Sequence, residues 1–274
     1  MEVGSWEFPR CAIIETSMSA ATYIYCVVKS ARKPSLTGVP PGLPSGTPPQ
    51  LLHSAPGLWL VTSQVALDVY GQGKLEPALT NMDWVGRIAV AHEAVVEFFA
   101  ARAGVTVVPM KLFTMFSTPE RAVADISARR AALDTTMKRI AGAEEWGIRV
   151  LRASSAAGKK GAAVAVQSGA AFLAAKKQKR DEALEARIAA AEAALTAFER
   201  LAAIARDARR REDSPAAGAT PPLLDAAFLV AASKRTRFTS AARREAEACA
   251  RAGAHLTLSG PWPAYNFIHA DDAR

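Results

Sequence analysis

The run from Leu256 to Phe267, LTLSGPWPAYNF, restricts the fold more than any other stretch. Alternating apolar residues predict a strand, which then meets Gly-Pro-Trp-Pro. Gly260 can reach backbone angles closed to other residues, while Pro261 and Pro263 each hold φ at about −65°. Each proline also drives the residue before it toward extended angles. The segment Gly260, Pro261, Trp262 and Pro263 is therefore stiff and non-helical, and it presents Trp262, Tyr265 and Phe267. Aromatics in such places mostly serve cores and interfaces. These residues are expected to be structural, with Trp262 largely buried against a domain interface or a long helix.

Upstream of this corner, strand and helix patterns alternate. Residues 1–20 show no period and are expected to be a disordered extension, with Met18 an alternative start. Thr22–Val28 is rich in β-branched and aromatic residues and reads as a strand. Pro34–Pro56 holds seven prolines and reads as a loop, mobile and expendable for folding. Gly57–Ser63 is the second strand. Asp83–Ala103 carries apolar residues at helical spacing, with Asp83 as N-cap and Gly104 as the stop. Val105–Leu112 returns to strand character. Thr118–Ile140 reads as one helix, opened by a capping threonine and a first-turn proline.

A second unit begins near residue 142. Trp146–Leu151 reads as a strand, followed by a small-residue connection, Ser154–Gly169, also expected to be mobile. A long helix is predicted over 170–211. Within it Leu184, Ile188, Leu195, Phe198 and Leu201 step by threes, fours and sevens, a heptad-like seam that asks for a partner surface. Such a helix is roughly 45 Å long over residues 181–211, too long for one small sheet to cover. After a linker at Glu212–Pro222 come a strand (Leu223–Val230), a helix (Arg237–Ala252) and a last strand (His255–Ser259). The unit reads β-α-β-α-β, close to a ferredoxin-like arrangement lacking one clear strand. The fold class is α+β, as a 21–141 N-terminal domain and a 142–274 C-terminal domain. The seam is expected to pack partly on its own domain and partly on the Thr118–Ile140 helix or a partner.

Composition narrows the chemistry. The 274 residues carry a net charge of +8, which permits acidic partners without choosing among them. Most of the excess lies beyond residue 140, where 21 Lys/Arg face 15 Asp/Glu. The three cysteines form no CxxC pair, which argues against a disulfide framework or a zinc site and fits a reducing cytoplasm. No apolar run is long enough to cross a membrane.

Catalytic patterns are sparse. His92-Glu93 opens like HExxH, but Val96 stands where the second histidine should be, so a packed histidine is the plainer reading. Gly158-Lys159-Lys160-Gly161 lacks the spacing of a phosphate loop. The basic run Lys176-Lys177-Gln178-Lys179-Arg180 has no interleaved aromatics, which favours a solvated helix face or an acidic protein partner over nucleic acid. No catalytic, cofactor or metal residues are assigned.

Several segments, taken in order, resemble the gas vesicle F/L family. They are TYIYCVV (22–28), AHEAVV within Arg87–Phe99, VTVVPMKLFTMF (105–116), EEWGIRV (144–150), AAFLV (226–230) and the closing GPWPAYNF. The chain departs from the family pattern in places. Cys26 stands where glycine is usual, Lys111 and Phe113 replace arginine and glycine, and Ala264 and Asn266 replace proline and serine. The resemblance implies two α+β domains, the C-terminal one a modified ferredoxin-like fold with coiled-coil-like helices. It also implies a non-enzymatic, chaperone-like protein of the cytoplasm and the gas vesicle. Such a protein would bind the hydrophobic shell protein and other accessory proteins, limit shell-protein aggregation and assist nucleation of this buoyancy organelle. Neither nucleic acid nor membrane is an expected partner. The alternatives are an enzyme on a ferredoxin-like scaffold, which needs a convergent polar pocket, and a basic nucleic-acid-binding protein, whose binding would fall steeply with salt.

Overall fold

The computed structural model describes residues 20–153, 169–211 and 221–268. The expected N-terminal extension, the body of the Ser154–Gly169 connection and nearly all of the Glu212–Pro222 linker lie outside the described residues. In chain order the elements are β1 (Ala20–Lys29), β2 (Gln50–Ala55), β3 (Leu58–Ala66), α1 (Leu67–Tyr70), α2 (Gln72–Ala78), α3 (Met82–Ala100), β4 (Thr106–Pro109) and β5 (Met115–Phe116). They continue as α4 (Pro119–Ala128), α5 (Arg130–Ile140), β6 (Ala143–Arg152), α6 (Gly169–Ala202), β7 (Asp207–Arg210), β8 (Leu224–Ala231), α7 (Arg235–Arg251) and β9 (Ala254–Trp262). Helices and antiparallel sheets are mixed, an α+β fold.

The first sheet has order β2-β3-β1-β4, with β5 also on β1. Its central strand β1 is buried on both faces, so its sequence reads as a continuous apolar run rather than an alternation. One face, with Tyr23, Tyr25, Val28 and Val61, packs under Ile88, Val95, Val96 and Phe99 of α3. The second sheet has order β7-β8-β6-β9. Its Ile148, Val150, Phe228 and Val230 pack under α6 and α7 through Ala190, Ala194, Leu201 and Phe238. The remaining faces of the two sheets meet. Ile24, Val27, Leu58 and Leu60 share one apolar cluster with Ala227 and Leu229, closed by Ile126, Leu133 and Met137 of α4 and α5 and by Phe267.

Several expectations need correction. The helix of the second unit stops at Ala202 instead of Arg211, and Asp207–Arg210 is an edge strand paired with β8. This is the strand missing from the sequence reading. Its DARR sequence has no apolar alternation, because its polar side chains hold other parts of the molecule: Arg209 donates to the Asn266 carbonyl at 2.8 Å. Thr118–Ile140 is two helices, broken at Arg129. The cap of α3 is Asn81 rather than Asp83, its side chain accepting from the Trp84 amide at 3.0 Å.

The proline-rich segment is docked, not loose. The Tyr25 hydroxyl accepts from the Leu43 amide at 2.9 Å, and the Tyr70 hydroxyl donates to the Pro44 carbonyl at 2.6 Å. Leu43 is buried, and a Cβ on Gly42 (φ +84°) would come within 2.5 Å of the Tyr25 hydroxyl. The segment then ends in β2, an edge strand beginning just after Pro49, where proline does no harm to the ladder.

Trp262 is also misplaced by the sequence reading: it is 43% exposed. Strand alternation from Leu256 and Leu258 would aim it inward. The register between β6 and β9 shifts, however, so that Gly147 pairs with Ser259 while Glu145 pairs with Trp262. Two steps on β6 span three on β9. That bulge turns Trp262 to the opposite face of an edge strand. It falls at Gly260, whose φ of +119° and whose missing Cβ, 2.8 Å from the Glu145 carbonyl, both call for glycine. The Gly260–Pro261 peptide is cis.

Phe267 therefore takes the role expected of Trp262. Phe267→Ala should cost about 3–5 kcal/mol of stability, and Trp262→Ala clearly less, in denaturant unfolding. Equal losses for the two variants would contradict this placement.

Candidate functional site

The C-terminal motif forms a strap that reaches both halves of the molecule. From Tyr265, the hydroxyl donates to the Glu93 carboxylate on α3. Asn266 binds Glu145 of β6 twice, its amide donating to Oε2 at 2.8 Å and its side-chain nitrogen to Oε1. The Phe267 carbonyl accepts from Arg139, and its ring lies 5.3 Å from the guanidinium of Arg209. Glu93 comes from the AHE block, Glu145 from EEWG and Tyr265 from the closing block, so the separate sequence blocks converge on one place.

A polar chain runs alongside it. The Tyr23 hydroxyl accepts from the Phe113 amide at 3.4 Å and shares a hydrogen bond with His92 Nδ1 at 2.7 Å. Phe113 sits at φ +65°, and its ring stacks on Trp84 at 5.8 Å. The stacked ring offsets some of the strain of a left-handed non-glycine residue. Cys26 is fully buried beside a bulge in β1, and burial pushes its thiol well above the usual range. Burial likewise raises the carboxyls of Glu93 and Glu145, against the lowering effect of their hydrogen bonds to Tyr265 and Asn266. His92 is pushed down to about 4 by burial, so it is a neutral packing group. With an acid held by one phenol and a histidine by another, this network ties α3 to β1 and to the C-terminal motif. Among the described residues no His/Cys/Asp/Glu group is placed to hold a metal ion, and no helix is long and apolar enough to cross a membrane.

The candidate partner surface is α6. Leu184, Ile188 and Leu195 are 55%, 50% and 43% exposed, whereas Phe198 is half-buried against Phe228 and Leu201 is fully buried. The sequence seam is thus split. Ala190, Ala194, Ala197 and Leu201 form the stripe that faces the second sheet and α7, and not α4 or α5 as expected. Alanines give a weak sequence signal for a packing stripe because their side chains bury little area, yet they let α6 and α7 approach closely. A second apolar feature lies on α3, a cleft of about 470 Å³ lined by Pro40, Pro41, Arg87, Val90 and Ala94.

The family model described as gas vesicle synthesis protein GvpL/GvpF matches residues 21–269. The chain belongs to this family. It is a family of gas vesicle proteins and not a known enzyme family. Among solved structures, the fold is similar to gas vesicle protein GvpF from Anabaena sp. PCC7120, with a TM-score of 0.65 and 15% identity over 92% of this chain and 97% of that one. It is similar also to GvpF from Microcystis aeruginosa, with a TM-score of 0.61 and 14% identity over 91% of this chain and 99% of that one. No curated protein matches the sequence. The GvpL/GvpF match spans the strap and its anchors, so Tyr23, His92, Glu93, Glu145 and Tyr265 belong to the part of the chain that the family shares.

The buried histidine sets a pH dependence. His92 is lowered from 6.5 to about 4, so the unfolded chain takes up the proton first as pH drops. Its contribution is full above pH 6.5 and is lost as pH falls toward 4. The raised Glu93 and Glu145 act in the opposite sense, favouring the native state as pH falls. Comparing wild type with His92→Gln isolates the histidine. The stability difference between them should shrink on acidification, on the order of 2–3 kcal/mol in all. Parallel profiles of Tm against pH for the two proteins would contradict a neutral buried His92.

Proposed function

We propose that this chain is a gas vesicle accessory protein that binds the hydrophobic shell protein, limits its aggregation and assists nucleation and assembly of the vesicle. It acts without catalysis, in the cytoplasm and at the growing vesicle, among other accessory proteins. Membership of the GvpL/GvpF family supports the setting. The observation that carries the role is the apolar stripe Leu184, Ile188 and Leu195 left uncovered on α6. Unassembled shell subunits expose apolar surface that aggregates unless covered, and an amphipathic helix face is a surface that can cover it.

The architecture suits this role. We read residues 21–141 and 142–274 as two units, the second a modified ferredoxin-like domain. Its β-α-β-β-α-β order and its β7-β8-β6-β9 antiparallel sheet support that reading. Within it, the shell-binding residues are Leu184, Ile188 and Leu195, while Phe198 and Leu201 hold the helix to its own domain.

The test is co-expression with the shell protein. Wild type should raise the soluble fraction of shell protein and co-purify with it. Leu195→Asp should lose both while remaining folded, because the residue is exposed and a charge on the stripe needs desolvation only in the complex. Leu201→Asp should fail to fold. Shell protein that stays equally soluble with Leu195→Asp would remove the stripe from the mechanism.

A further inference from the structure

The free half of α6 has a second regularity that the apolar stripe alone does not explain. From 170 to 189 every residue is exposed except the partly covered Asp181, so about 30 Å of helix stands clear of the body. Written as heptads, Ile188 and Leu195 occupy a positions and Leu184 and Ala191 occupy d positions. The flank on one side of this seam, the g positions, holds Arg180 and Arg187. The flank on the other side, the e positions, holds Glu185 and Glu192. Among the described residues Glu185, Arg187 and Glu192 make no ion pair within the chain, and Arg180 has only its neighbour Asp181 at 3.5 Å.

Oppositely charged flanks select both the partner and its direction. In a parallel, in-register pair of helices each g position meets the e position five residues further along the other helix. Two copies of α6 would then place Arg180 against Glu185 and Arg187 against Glu192, each pair occurring twice by symmetry. An antiparallel pair sets g against g and e against e, so arginines would face arginines and glutamates would face glutamates. The charge pattern of this helix is therefore complementary to itself in one orientation only.

The body leaves room for this arrangement. The stripe that holds α6 down, Ala190, Ala194, Ala197 and Leu201, lies roughly a third of a turn round the helix from Leu184, Ile188 and Leu195. A second helix seated on the free stripe lies to the side of the second sheet and α7, not between them and α6.

We propose that the resting occupant of this stripe is a second copy of this chain, held through a parallel α6–α6 coiled coil. The proposal rests on the reading of the stripe as a docking surface, with the shell protein displacing the second copy from it. Self-pairing covers apolar surface that would otherwise promote aggregation in the free protein. The seam is short, since Lys177 and Asp181 interrupt it toward the N-terminus, and a short seam makes the pairing reversible. Reversibility is what exchange for a shell subunit requires.

Sedimentation equilibrium of the full chain tests the proposal. Wild type should show a concentration-dependent monomer–dimer equilibrium. Leu184→Asp should be monomeric with an unchanged circular dichroism spectrum. Arg187→Glu should weaken the dimer by roughly tenfold, and Arg187→Glu combined with Glu192→Arg on the same chain should restore it. In a background lacking Cys11, Ala191→Cys should form an interchain disulfide on mild oxidation, since parallel register sets the two d positions side by side. Wild type that stays monomeric into the millimolar range overturns the proposal, as does a dimer indifferent to Leu184→Asp. A dimer that ignores the charge exchange and does not cross-link at 191 overturns the parallel arrangement. The soluble fraction of co-expressed shell protein is read on the same variants. Monomeric wild type that still solubilises shell protein overturns self-pairing and leaves the proposed function standing. A confirmed dimer without effect on shell protein does the reverse.

Discussion

The apolar layer between the two sheets is the constraint on which the rest of the structure depends. Ile24, Val27, Leu58 and Leu60 from one sheet meet Ala227 and Leu229 from the other, with α4 and α5 at the side and Phe267 within the layer. The first sheet could not leave that face in water, because it would expose a row of branched aliphatic side chains. The layer makes β1 and β8 buried on both faces, which is why both read as near-continuous apolar runs. It also places the C-terminal strap between halves of the chain that are far apart in sequence.

Around that layer the polar groups follow from burial. Glu93 and Glu145 lie close to the strap, and each is offered donors by it, from Tyr265 and Asn266. Buried carboxyls left without donors would cost several kcal/mol each. Three arginines complete the fastening from the other side: Arg139 and Arg209 donate to carbonyls of the strap, and Arg206 donates to the carbonyls of Arg139 and Ala141 at 2.6 and 2.9 Å. The basic excess of the second half is thus partly structural. The AHE block and the closing block, which look like unrelated signatures along the chain, are the two ends of one hydrogen bond. The signature residues explain the fold, while the exposed apolar stripe Leu184, Ile188 and Leu195 lies elsewhere, on α6.

Most elements were legible because their signals are local. The helical spacing from Val85 to Phe99, the alternation into Leu258 and the glycine at 104 report on the backbone next to them. The misread elements are those whose conformation is set by distant partners. Asp207–Arg210 is a strand because β8 offers it an edge. Pro34–Pro49 is ordered because Tyr25 and Tyr70 hold its backbone. On α6 the prominent leucines suggested the packed side, whereas close approach to α7 selects alanine.

The sequence by itself determined the α+β class, the order of most elements, and the need for a glycine and a rigid corner at Gly260. These depend on backbone propensity and on periods of two and 3.6 residues, both carried by neighbouring residues. Only the tertiary structure decided which side of each amphipathic element is covered. The bulge at Gly260 turned Trp262 outward and left Phe267 to fill the shared layer. The approach of α6 to α7 buried Ala190, Ala194 and Ala197 and left Leu184, Ile188 and Leu195 in water. A side chain's period tells which residues share a face; whether that face meets another part of the chain depends on contacts between elements far apart in sequence.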